Sequence, residues 1–127
     1  MSWDIVLFHS SEKITSPEEL DENKLVPTDF CSVLSGNFKN VRSNDNHRSI
    51  EGTDFAIEYF FDDEPATNMM LSLYGEAALF QIIKVARKNN WQIFDTGLGE
   101  MLDLENPAKN GYQNFQSYLT QILNNNN

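Results

Sequence analysis

With 127 residues the chain has room for one domain, 1–127, and its 40% apolar content with nine Phe supports a core and excludes a disordered chain. Nineteen acidic against nine basic residues leave a net charge of −10, which repels phosphate backbones and argues against nucleic-acid binding. The one cysteine, Cys31, cannot close an internal disulfide, Met1-Ser2-Trp3-Asp4 lacks the basic start of a signal peptide, and no run approaches the roughly 20 apolar residues of a membrane span, so a cytoplasmic protein without membrane association is expected.

Trp3 to Phe8 is dense in β-formers and predicts a strand, with Trp3, Ile5 and Leu7 on one face and Asp4, Val6 and Phe8 on the other. His9-Ser10-Ser11 stops it. Ser16-Pro17-Glu18-Glu19 is a helix start with a capping residue, a proline at the first helical position and a glutamate that closes a capping box. Pro27 ends that helix. A second start follows at Thr28-Asp29, where Phe30, Val33, Leu34 and Phe38 mark one face and Gly36-Asn37 suits the end. Residues 39–53 are polar and carry Asn44-Asp45-Asn46 and Gly52, which reads as a loop or a hairpin-like excursion.

Phe55 to Phe61 alternates and predicts the next strand, broken by Asp62-Asp63-Glu64-Pro65. Asn68 to Tyr74 predicts another, paired antiparallel with it. Gly75-Glu76 opens a helix to about Asn90, whose buried stripe is Leu79, Ile82, Ile83 and Ala86 and whose last turns carry Lys84, Arg87 and Lys88. Trp91 to Asp95 is a strand and Thr96-Gly97-Leu98-Gly99 a turn. Met101 to Leu104 either extends the strand or forms an edge. Asn106-Pro107 and Asn110-Gly111 mark a loop. A last helix, 112–123, is expected on Tyr112, Phe115, Leu119 and Ile122, with a frayed tail 124–127. The order β-α-β-β-α-β plus a C-terminal helix matches an α+β, ferredoxin-like sandwich of four antiparallel strands with both helices on one face. The C-terminal helix is then the nearest cover for the second face, where Phe8, Phe60, Tyr74 and Phe94 fall.

The chemistry-bearing residues do not assemble into a catalytic or metal motif. Asp62-Asp63-Glu64 sits in a turn, where adjacent carboxylates point apart. Counting from Asn44, a calcium loop would need Gly and Glu where the chain has Ser49 and Phe55. Gly97-Leu98-Gly99 lacks the third glycine of a dinucleotide loop and is followed by Glu100 and Asp103, which repel phosphate. Cys31 lies in an apolar helical stripe with nothing to bring His9 or His47 to it. Asp4 and Glu58 share a sheet face as paired carboxylates, an arrangement far commoner on open sheets than in acid–base sites. The aromatic set on the second face would suit RNA bases, but its neighbours Asp4, Glu58, Asp62 and Asp63 are acidic.

The opening Met1-Ser2-Trp3-Asp4-Ile5-Val6-Leu7-Phe8 and the later Glu76-Ala77-Ala78-Leu79, Ala86, Asn90, Trp91 and Phe94-Asp95 resemble a group of small, uncharacterised, acidic bacterial proteins. Several of these are thought to be immunity proteins of polymorphic toxin systems. The resemblance covers about half of the chain and implies architecture, a stoichiometric antitoxin role and no catalytic residues.

The expected function is therefore a non-enzymatic protein-binding module, an immunity-type antitoxin that blocks a basic toxin, without cofactor or metal. The expected partner surface is Asp62, Asp63, Glu64, Asp95, Glu100, Asp103 and Glu105, with Tyr74 as an aromatic anchor. The alternative is a small enzyme or small-molecule-binding domain using a pocket at the sheet edge.

Overall fold

Alternating apolar residues put one strand, β1 (Ser2–Phe8), at the heart of the fold in a computed structural model that describes residues 2–10, 12–14, 22–61 and 65–105. The helix start at Ser16, the Asp62-Asp63-Glu64 break, the 112–123 helix and the tail lie outside those residues. The remaining elements are a 3₁₀ turn (Glu22–Lys24), α1 (Phe30–Asn37), β2 (Val41–Asn44), β3 (His47–Gly52), β4 (Phe55–Phe60), β5 (Asn68–Tyr74), α2 (Glu76–Asn89), β6 (Gln92–Asp95) and β7 (Glu100–Met101). The seven strands form one antiparallel sheet in the order β2-β3-β4-β5-β1-β6-β7.

The protein is α+β, as expected, but four strands become seven. Of the two readings of the polar stretch 39–53 the hairpin holds: β2 and β3 pair through a turn that places Asp45 at φ 54°, a left-handed position that Asp tolerates. It extends the sheet beyond β4, with Ile50 opposite Ile57. At the far edge Glu100 and Met101 pair with Asp95 and Phe94, so the segment after the glycine turn forms an edge strand.

Period-two alternation sorts the side chains onto two faces. Ile5 and Leu7 of β1, Leu71 and Leu73 of β5, Ile57 and Tyr59 of β4, Ile50 of β3 and Ile93 of β6 all point to the helical side and are buried. The stripe Leu79, Ile82, Ile83 and Ala86 of α2 lies fully buried in the same core. Burial of this stripe, more than helix propensity, holds α2 in place. α1 joins that core through Phe30, Cys31 and Leu34, and the Phe30 ring meets Trp91 edge-on at 4.9 Å. Asp29 caps α1, its carboxylate accepting from the Ser32 amide at 3.1 Å. α2 begins at Gly75, whose φ of 89° and whose contact with the Asp54 carbonyl leave no room for a side chain. It ends at Asn90 in the left-handed region, with the Trp91 amide donating to the Ala86 carbonyl.

The second face is divided. Its β1–β6–β7 half carries Phe8, Val6, Phe94 and Met101, and Ile14 and Leu25 cover them in a small second core. The described cover therefore comes from the β1–α1 connection. That connection is tied down at several points. The Val26 amide donates to the His9 carbonyl, the Ile14 amide to Gln92 Oε1 at 2.7 Å, and Gln92 Nε2 to the Glu12 carbonyl at 2.9 Å. Thr28 Oγ1 donates to the Val26 carbonyl, which leaves it to accept from His9 Nδ1 at 2.9 Å. The β3–β4–β5 half of the same face has no such cover among the described residues. No helix among them is long and apolar enough to cross a membrane.

Candidate functional site

The uncovered half of the sheet is organised by register. Asp4 lies opposite Ser72, Ser72 opposite Glu58, and Glu58 opposite Ser49, so a polar row crosses β1, β5, β4 and β3. Two residues further along their strands stand Met70 and Phe60, with His47 opposite Phe60. Two residues the other way stand Tyr74 and Ala56. Period two places all of these on the face away from the helices.

Hydrogen bonds fix the polar row. The Ser72 hydroxyl donates to Asp4 Oδ1 at 2.8 Å. The Tyr74 hydroxyl donates to Glu58 Oε2 at 2.8 Å, and His47 Nε2 lies 3.6 Å from Glu58 Oε1. The His47 imidazole also meets the Phe60 ring edge-on at 5.8 Å. The apolar members stay in water: Phe60 is 73% exposed, Met70 57% and Tyr74 37%. Phe60 and Met70 thus form an exposed apolar pair on neighbouring strands of the sheet. Between them lies a depression of about 290 Å³ lined by His47, Glu58, Tyr59, Phe60, Met70 and Ser72.

Among the described residues, those expected from the sequence are divided between the two faces of the sheet. Tyr74 lies on the open face, as required of an anchor, though its hydroxyl is engaged by Glu58. Asp95 and Glu100 pair across β6–β7 in register with Ile5, so they belong to the helical side. Asp95 is not a surface carboxylate at all. It is 1% exposed, and its Oδ1 accepts from the Gly97 and Leu98 amides at 2.9 and 3.1 Å. The reason is the 96–99 turn, whose amides need an acceptor that the preceding Asp supplies. Asp103 is half-buried and accepts from the Glu105 amide at 3.1 Å. Its neighbours Leu102 and Leu104 pack on the main core, and Arg87 of α2 donates to the Leu104 carbonyl, which holds this stretch on the helical side. Glu100 and Glu105 are exposed. Asp62, Asp63 and Glu64 lie outside the described residues.

The pair Asp4 and Glu58 does share a face, but each carboxylate is engaged by a hydroxyl from β5 rather than by the other. Cys31 is buried, and neither histidine serves it: His9 bonds Thr28 and His47 faces Glu58. Among the described residues no group of three His, Cys, Asp or Glu side chains is arranged to hold a metal ion. The phenol oxygen of Tyr59 is buried on the helical side without a well-formed hydrogen bond. Burial raises its pKa above the ordinary phenol value, and the nearby Ser35 hydroxyl and Arg48 offset this only in part.

The sequence alternation placed Phe60, Met70 and Tyr74 away from the core, but neither His47 nor Met70 was expected as a member of the site. A signal existed for Met70, which alternates with Leu71 and Leu73 and so had to face away from the core. His47 had none, because its place depends on the register of a hairpin with little apolar alternation. No family model, curated protein or solved structure matches the chain.

Proposed function

We propose that the protein is a cytoplasmic protein-binding module of the immunity type, which docks a basic toxin on the open β3–β4–β5 face. The observation that carries this reading is the exposed Phe60–Met70 pair, set beside the carboxylates of Glu58 and Asp4 on a chain of net charge −10. Exposed aromatic and thioether side chains supply the area a partner can desolvate, and acidic residues around them bring a cationic partner in and orient it. Asp62, Asp63, Glu64, Glu100, Asp103 and Glu105 add to that field through charge alone. The same field disfavours nucleic acid as the ligand.

We read the sheet as a ferredoxin-like core with the β2–β3 hairpin and β7 added at its edges; the adjacency of β4, β5, β1 and β6 supports this reading. The alternative reading, a small enzyme or small-molecule site, has the Asp4–Ser72–Glu58–Tyr74 row in its favour. The depression beside it, about 290 Å³, is flanked by the exposed Phe60 and Met70, and this apolar pair favours the protein-binding reading.

The test is binding to the product of the neighbouring open reading frame in the native host, measured as an association rate from low to high salt. The rate should fall with salt as the Debye length shrinks from about 10 Å at 0.1 M to about 3 Å at 1 M. Phe60→Asp should weaken binding by a factor of about 30, the size of a central anchor, with little change in stability because the ring is in water. An affinity indifferent to both salt and Phe60→Asp would overturn the reading.

A further inference from the structure

The depression on the open face combines three kinds of group that are rarely set together on a surface. The Phe60 ring offers an exposed π face, Met70 a polarizable thioether, and Glu58 a carboxylate one row away on the same strand as Phe60. Glu58 still has acceptor capacity. Tyr74 occupies one lone-pair direction of Oε2, and His47 Nε2, at 3.6 Å from Oε1, is beyond hydrogen-bond length. A carboxylate can accept about four hydrogen bonds. The Tyr74 bond also fixes the carboxylate in place, so a ligand would meet an oriented acceptor.

An aromatic face beside an oriented carboxylate selects a planar cation. A guanidinium can stack on a ring and donate in a fork to a carboxylate together, whereas an ammonium presents a hydrated point charge with no plane to stack. Size allows this, because about 290 Å³ holds one long side chain with room to spare. A second copy of this chain is a poor occupant, since two molecules of net charge −10 repel.

We infer that the His47–Glu58–Phe60–Met70–Ser72 depression is the seat of one arginine side chain of the basic partner, stacked on Phe60 and forked to Glu58. This rests on the protein-binding reading above and names what that surface recognises. Met70 closes the stack from the neighbouring strand, and Ser72, held by Asp4, bounds the polar side.

The experiment is a nuclear magnetic resonance titration of the isotopically labelled full chain with N-acetyl-arginine N-methylamide. Its neutral isostere N-acetyl-citrulline N-methylamide and the lysine derivative run in parallel. The arginine compound should shift the signals of Met70, Phe60, Ser72 and His47 along one saturating curve. Citrulline should bind about tenfold more weakly, and lysine should fall between. Glu58→Gln, checked by an otherwise unchanged spectrum, should lose the same factor of about ten for arginine. Citrulline binding as well as arginine, lysine binding better, shifts centred elsewhere, or no specific shift up to the solubility limit would each overturn the inference. The two readings fail separately. A basic partner that needs Phe60 but binds Glu58→Gln unchanged overturns the arginine seat alone. Arginine binding here without any basic protein partner overturns the antitoxin reading alone.

Discussion

Replacing Asp95 by alanine tests whether this carboxylate is structural. Asp95 is 1% exposed, and its Oδ1 receives two backbone amides, from Gly97 at 2.9 Å and Leu98 at 3.1 Å. Hydrogen bonds to a charged acceptor are worth about 1.5–3 kcal/mol each when both partners are buried. Gly97 and Leu98 are exposed, so water can reach their amides once the carboxylate is gone, and each loss should sit near or below the low end. The alanine should therefore cost about 2–3 kcal/mol in all. With a urea slope of about 2 kcal/mol per M, the unfolding midpoint would fall by about 1–1.5 M. Asp95→Asn keeps an oxygen in the same place without the charge. Neutral acceptors are about half as strong, so asparagine should cost about half as much. The assay is urea unfolding followed by fluorescence and circular dichroism for parent, alanine and asparagine forms. An unchanged midpoint for Asp95→Ala would refute the turn-capping argument. Equal losses for alanine and asparagine would refute the part assigned to charge.

Ile82→Ala empties a fully buried position of the α2 stripe and should cost about 2–5 kcal/mol, and an unchanged melting temperature would refute the packing of α2 on the sheet. Tyr59→Phe should leave stability at neutral pH unchanged or raise it by up to about 1 kcal/mol, because it removes a buried hydroxyl that lacks a well-formed hydrogen bond. The same variant has a pH signature. The folded-state phenol pKa is raised, so the contribution of this group is fully present below the unfolded value of about 10 and is lost as pH climbs from there toward the folded value. Stability curves in urea from about pH 8 to about pH 11 should therefore decline less steeply for Tyr59→Phe than for the parent, and parallel curves would refute the assignment.

The parts of the fold that could be read in the sequence are those buried on one side and wet on the other. α2 shows its stripe because Leu79, Ile82, Ile83 and Ala86 face a core while Lys84 and Lys88 face water. β1, β4 and β5 alternate for the same reason. The β2–β3 hairpin could not be told from a loop because most of its residues are at least partly exposed, leaving Ile50 as its one buried side chain. Ile14 and Leu25 could not be assigned to a second core, since two isolated apolar residues in a polar connection carry no period. The acidic residues near 95–105 look alike in sequence, and only the register and the turn separate buried Asp95 from exposed Glu100. The His47–Glu58–Tyr74 contacts needed three strands in register, which no local pattern encodes.

The position of β1 also sets a schedule. Its partners are β5 and β6, so Phe8 waits for Asn68 and Ile5 for Asp95. At about 5–20 residues per second, a ribosome would leave the first strand without its neighbours for roughly 5–20 s. The β2–β3 and β3–β4 pairings span short separations and can form in that interval. During synthesis this interior strand is therefore the one that waits longest for its neighbours, with Ile5, Leu7 and Phe8 open to wrong pairing. This ordering makes β1 the segment where a chaperone or an added charge would most change the yield of folded protein.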